Sequence, residues 1–85
     1  MADMQQIVNY KKCALDARAH ERTDGQGYMA EVYVAQPDGD RDVVTQFSLK
    51  ETFPSGEAAI EAALQVGRHK VDVGFEPKDQ QRGPG

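Results

Sequence analysis

The chain has few of the side chains that build a large hydrophobic core. It contains no tryptophan, three tyrosines and three phenylalanines, and ten of its 85 residues are alanine. Leu, Ile, Val and Phe together number 16, which is just under the level of about 20% below which disorder becomes a concern. The net charge of −4 is too small to prevent folding. We therefore expect one small folded domain with a thin core.

Long apolar runs are also missing. No stretch approaches the ~18 residues needed to span a membrane, and Asp3 stands where a secretory signal would be basic. The single cysteine, Cys13, allows no internal disulfide, and a lone thiol is typical of a reducing compartment. These features predict a cytoplasmic protein, although export by a route without a visible signal would leave the same pattern.

Positive charge is scarce, with 10 Lys and Arg against 14 Asp and Glu. This balance argues against sequence-independent nucleic-acid binding, which needs cations clustered against phosphates. One short region is nevertheless basic, through Lys11, Lys12, Arg18 and Arg22. These cations form either a small nucleic-acid-binding edge or the solvated charge that protects an edge strand.

Three segments alternate between apolar and polar residues with the period of two that half-buried strands show. They lie at about residues 13–20, 28–35 and 43–49, and each turn between them contains an Asp-Gly pair, which tolerates the positive φ of hairpins. The pattern predicts a three-stranded antiparallel meander. Residues 10–22 also have high helix propensity, so strand and helix both stay open there, with the spacing favouring strand.

A fourth segment has the helical period, because Ile60, Ala63, Leu64 and Gly67 fall on one side of a helix from about residue 56 to 72. Ser55 is placed to cap its N-terminus. The order β-β-β-α predicts an α+β domain in which the helix packs on one face of the sheet.

The ends of the chain are expected to lie outside the folded domain. We predict a flexible N-terminus at residues 1–7, a single α+β domain at residues 8–75 and a disordered tail at residues 76–85. The tail has no apolar side chain except its proline rings, so it buries too little to offset its ordering entropy.

The strands and the helix opening carry a resemblance. The first half contains Tyr10-Lys11-Lys12, Gly27-Tyr28-Met29-Ala30-Glu31-Val32 and Pro37-Asp38-Gly39-Asp40, and the second contains Phe53-Pro54-Ser55-Gly56-Glu57-Ala58-Ala59-Ile60. Together they resemble small uncharacterised proteins of Burkholderia-type β-proteobacteria, over about residues 10–73. The resemblance implies the same β-β-β-α arrangement and no established activity.

Two looser likenesses concern nucleic acids. The element order is similar to double-stranded-RNA-binding domains that lack their first helix, and to the partial RNase-H-like domain of some bacterial antitoxins. The former use a basic helix N-terminus to reach phosphates, whereas Glu57 makes this one acidic. The latter usually add a DNA-binding segment that this pattern lacks.

The sequence shows no recognisable catalytic or metal-binding motif. Acidic residues at positions 38, 40 and 42 match the first ligand positions of a calcium-binding loop. Val43 and Leu49 stand where such a loop has its glycine and its final glutamate, so the match fails. Cys13, His20 and His69 lack the short spacing of a zinc site. We therefore expect no enzymatic activity, no cofactor and no bound metal.

One helix covers only one face of a sheet, so the other face is expected to meet water or a partner. That face should carry Met29, Glu31, Tyr33, Val44 and Gln46. Tyrosine and methionine are enriched in contact surfaces, although scattered surface apolar residues are also ordinary. We predict a small non-catalytic protein-interaction or accessory module that binds an unknown protein or a second copy of itself. The alternative is a double-stranded-RNA-binding-like or antitoxin-like domain that uses the four cations above.

Overall fold

A computed structural model of the protein describes residues 3–74. Within them the chain forms a four-stranded antiparallel sheet and one helix: β1 (Asp3–Tyr10), β2 (Cys13–Glu21), β3 (Tyr28–Asp38), β4 (Arg41–Ser48) and α1 (Gly56–Val73). The strands lie in chain order, and α1 packs on one face. This confirms the predicted α+β class with an antiparallel meander and a C-terminal helix. The tail predicted at residues 76–85 lies outside the described residues.

The predicted number of strands is wrong, because the sheet has four strands rather than three. The additional strand, β1, includes residues 3–7, where we predicted a flexible N-terminus. The chain reverses after β1 at Lys11 and Lys12, which have φ values of 51° and 71°. Hairpin turns of this kind normally use Asn, Asp or Gly, so two lysines give no sequence signal for a turn at this position. The alternation in β1 is also irregular, since Gln6 lies on the helix side and Ile7 on the opposite side.

Strand β2 resolves the choice between strand and helix at residues 13–21 in favour of strand. Its alternate side chains, from Cys13 to Ala19, are buried beneath α1. β2 pairs with β1 on one edge and β3 on the other, so backbone groups on both sides have partners. That pairing, together with burial, outweighs the intrinsic helix propensity of the segment, which is a weak determinant.

Both ends of α1 are capped, and the N-terminal cap is the predicted residue, Ser55. Ser55 Oγ accepts a hydrogen bond from the Ala58 N–H at 3.1 Å. Gly74 adopts a φ of 82° and donates its N–H to the Lys70 carbonyl at 3.0 Å, which ends the helix. Both ends therefore follow from local side-chain chemistry.

Gly67 lets the middle of α1 approach the sheet closely. A Cβ at this position would lie 3.2 Å from side-chain atoms of both Leu15 and Val32. Leu15 and Val32 are fully buried in the core, as are Ala59 and Ala63 of the helix. Small helix residues thus bring the helix close enough to bury the short side chains of β2 and β3.

Replacing Gly67 with leucine tests this close approach. We expect Gly67→Leu to lower the free energy of unfolding by about 1–3 kcal/mol, because the new side chain overpacks the core. The effect opposes helix propensity, which by itself favours leucine over glycine by about 0.8 kcal/mol. Urea denaturation measures the change, with Glu61→Leu on the exposed side of α1 as the control. Equal stability of the two variants would contradict the close packing.

Candidate functional site

The face of the sheet opposite α1, called the open face below, receives every second side chain of the four strands. It includes all five residues predicted for partner contact, namely Met29, Glu31, Tyr33, Val44 and Gln46. Strand β1 adds Asp3, Gln5 and Ile7 to it. The sequence pattern missed these three because it assigned them to a flexible segment. The irregular alternation of β1 left no signal strong enough to find them.

One end of the open face is apolar. Here the register places Ala14 beside Ala35, and Ala35 beside Val44. Ile7 and Tyr33 lie in the adjoining row across the strands. Ile7 is 61% exposed and Val44 is 58% exposed. These five residues, called the apolar half below, reach across all four strands, with the Asp16 carboxylate lying between Ile7 and Tyr33 in their row.

Arg18 and Asp16 mark the border between the apolar half and the rest of the open face. The Arg18 guanidinium lies over the Tyr33 ring, 4.6 Å from its centroid. It also forms an ion pair with Asp16, 2.9 Å between Nη2 and Oδ2. Hydrogen bonds from Arg18 and from Gln5 lower the pKa of Asp16. The tyrosine is therefore held in one orientation by charged neighbours.

The other end of the open face is a polar network around Glu31. His20 Nε2 lies 3.0 Å from Glu31 Oε2, and Gln46 Nε2 donates to Glu31 Oε1 at 2.7 Å. On its other side, His20 Nδ1 lies 3.6 Å from a carboxylate oxygen of Asp3. Both ring nitrogens of His20 thus face carboxylates. This arrangement orients side chains on the sheet.

The four cations of the nucleic-acid alternative do not lie together. Lys11 and Lys12 occupy the turn before β2, Arg18 lies in the middle of the strand, and Arg22 follows its far end. Nine strand residues at about 3.3 Å each separate the two ends by roughly 30 Å. Three of the four also form ion pairs within the chain: Lys11 with Asp72, Arg18 with Asp16, and Arg22 with Asp24.

The remaining candidate ligands and nucleophiles are dispersed. Cys13 is buried under α1, whereas His20 lies on the open face and His69 on the helix. Among residues 3–74, no three His, Cys, Asp or Glu side chains come together as a metal site would require. No described helix combines the length and hydropathy needed to cross a membrane.

Comparisons of the chain with known proteins found no match. No family model, no curated protein and no solved structure matches the chain. The resemblance to Burkholderia-type proteins stays a prediction, and functional inference rests on the open face and the edges of the sheet.

The ion pair of Asp72 predicts an acid-sensitive contact between α1 and the β1–β2 turn. Asp72 accepts hydrogen bonds from Lys11 Nζ at 2.7 Å and from the Tyr10 hydroxyl at 2.9 Å, and these lower its pKa from the ordinary 3.8. Because the folded pKa is the lower one, the stabilisation is present above the unfolded pKa and is lost as the pH falls through the folded one. Asp72→Asn should therefore lower the unfolding midpoint at neutral pH.

Thermal unfolding at a series of pH values measures this effect. The difference between wild type and Asp72→Asn should shrink as the pH falls below 3.8. Glu61→Gln, at an exposed position of the same helix, serves as the control. A difference for Asp72→Asn that is constant across the pH range would contradict the ion pair.

Proposed function

We propose that the protein is a small non-catalytic interaction module that binds a protein partner on its open face. The observation that supports this most directly is the apolar half, where Ile7 and Val44 are both more than half exposed, on strands to either side of Tyr33. An exposed apolar strip with a fixed aromatic residue and a charged border is typical of a contact surface. A tyrosine held by Arg18 also loses little rotamer freedom on binding.

The charges of the open face favour a basic partner. Asp3, Asp16 and Glu31 lie on it, and Arg18 already pairs with Asp16. The chain as a whole carries −4. We infer a protein surface that places apolar side chains on the apolar half and Lys or Arg near Glu31 and Asp3, since opposite potentials speed encounter and select partners.

A cytoplasmic setting belongs to the same proposal. The single thiol, Cys13, is free and buried in the core, which suits a reducing compartment. The Burkholderia-type resemblance is compatible with this setting and supplies no activity of its own.

Substitutions on the apolar half test the proposal. Tyr33→Ala should weaken partner binding at least tenfold, because interface hot spots, which are enriched in tyrosine, cost about 2 kcal/mol or more when truncated. Ile7→Ala should weaken it as well, through the loss of apolar burial. Proteins captured from a lysate by the wild type are compared with those captured by each variant using quantitative mass spectrometry. The affinity for a purified candidate is then measured by titration calorimetry.

Glu61→Ala on the exposed side of α1 is the matched control and should retain the partner. Circular dichroism of each variant shows that the fold is retained. If no captured protein distinguishes the open-face variants from wild type and from Glu61→Ala, the proposal fails.

Nucleic-acid binding through Lys11, Lys12, Arg18 and Arg22 stays a prediction, and the dispersal and pairing of these cations do not favour it. This alternative predicts that the protein shifts RNA or DNA in an electrophoretic mobility assay at about 50 mM salt, and that the shift weakens steeply as the salt concentration rises. Lys12→Glu should abolish such a shift, because Lys12 is the one cation of the four without an ion pair among the described residues. No shift at low salt would dispose of this alternative.

A further inference from the structure

The outer edge of β4 offers backbone hydrogen-bonding groups that no described strand uses. β4 is the last strand of the sheet. The Leu49 N–H donates to the carbonyl of Ala30, the residue directly opposite it, at 3.0 Å. Because hydrogen-bonded positions alternate along an antiparallel strand, the backbone groups of Val44, Gln46 and Ser48 point away from β3. An exposed edge of this kind is a template for another strand.

A groove runs along the same strand on the helix side. α1 packs over β1, β2 and β3 and leaves β4 at its flank. The groove between β4 and α1 has a volume of about 740 Å³, and its apolar lining comprises Phe47, Leu49, Ala62 and Val66. A strand added to β4 would bring apolar side chains to this lining. The edge and the groove therefore form one surface.

The charges at the two ends of residues 41–51 complement each other when two copies run antiparallel. Arg41 and Asp42 begin β4, and Lys50 and Glu51 follow its last residue, Ser48. The residues between these pairs carry no charge. Read in opposite directions, two copies place arginine against glutamate and aspartate against lysine. Within residues 3–74, none of these four side chains forms an ion pair. Their charges are available to a neighbour.

We propose that a second copy of this chain pairs antiparallel with β4, with Gln46 opposite the partner's Gln46. In this register Asp42 comes opposite the partner's Lys50, just beyond the end of β4, and Arg41 lies near the partner's Glu51. The register also agrees with the backbone, because Val44, Gln46 and Ser48, which point outward, then meet outward-pointing residues. A shift by one residue would break this match and turn the apolar side chains to the wrong face.

The same register joins the two apolar grooves. Val43 lies opposite the partner's Leu49, and Thr45 lies opposite the partner's Phe47, all on the helix side of the sheet. The two-fold axis runs perpendicular to the sheet, so both helices lie on one face and the dimer is closed. Backbone hydrogen bonds and apolar burial supply the affinity. Exposed ion pairs are individually weak, so the charges mainly select the register.

The other edge strand is a poorer site for a second copy. β1 carries a single charged residue, Asp3, and has no charge pattern that complements itself. α1 also lies close to this side, where Asp72 contacts Tyr10 and Lys11. The dimer does not depend on Tyr33 or Ile7 of the proposed partner site, since its contacts are the backbone edge of β4 and the groove on the helix side.

Charge reversal at two exposed positions tests the dimer. Sedimentation equilibrium of the wild type at increasing concentration should show a monomer–dimer equilibrium that weakens with salt. Asp42→Lys and Lys50→Glu each place like charges opposite each other twice per dimer, and each should raise the dissociation constant on the order of tenfold. Lys12→Glu is the same substitution as Lys50→Glu but lies in the β1–β2 turn, and it should leave the dissociation constant unchanged.

Mixing the two variants gives the decisive result. One chain with Asp42→Lys and one with Lys50→Glu form two attractive pairs, so the mixture should dimerise as strongly as wild type when neither variant does so alone. Circular dichroism shows that each variant is folded. A wild type that stays monomeric at millimolar concentration overturns the proposal, as do single variants that dimerise normally or a mixture that fails to dimerise. The Tyr33→Ala and Ile7→Ala variants should keep the dimer, which separates this proposal from the partner site.

Discussion

The close contact between one helix and two strands determines most of this structure. Gly67 allows α1 to lie within van der Waals distance of Leu15 and Val32, and the buried alanines of helix and sheet keep the two layers close together. A chain with so few large apolar residues gains enough burial only if its small side chains are packed tightly. The thin core is therefore a consequence of composition, and the close helix–sheet spacing is the way the fold accommodates it.

The same contact decides which surfaces stay uncovered. A single helix centred on β2 and β3 leaves the whole opposite face of the sheet open and leaves β4 at its flank. The open face combines an apolar half with an ordered polar network around Glu31. The β4 edge combines free backbone groups, an apolar groove and charges that complement a second copy. The two surfaces meet along β4, where Val44 and Gln46 belong to both, and a dimer through β4 would extend the open face of one copy into that of the next.

The candidate site could be predicted only in part. The alternation in β3 and β4 correctly places Tyr33, Met29 and Val44 on the face away from the helix. It does not reveal Ile7, because β1 alternates irregularly and begins where a flexible segment was expected. Nor does the alternation show that Arg18 forms an ion pair with Asp16 and lies over the Tyr33 ring. Because of these contacts, Arg18 is not part of a basic edge with Lys11, Lys12 and Arg22. The contact with Tyr33 depends on the neighbouring strand β3, whereas Asp16 lies two residues from Arg18 on the same face of β2.

Local signals in the chain are enough to specify some of the elements. The Asp-Gly turns, the Ser55 cap and the Gly74 end act through residues only a few positions apart, so β3, β4 and α1 appear where the pattern places them. Tertiary structure decided the rest. β1 forms because β2 offers it an edge and α1 offers it cover, and Lys11 and Lys12 accept positive φ to make the turn. β1 pairs with the strand that directly follows it, but its cover by α1 depends on residues at the other end of the described chain, so no local pattern records that burial.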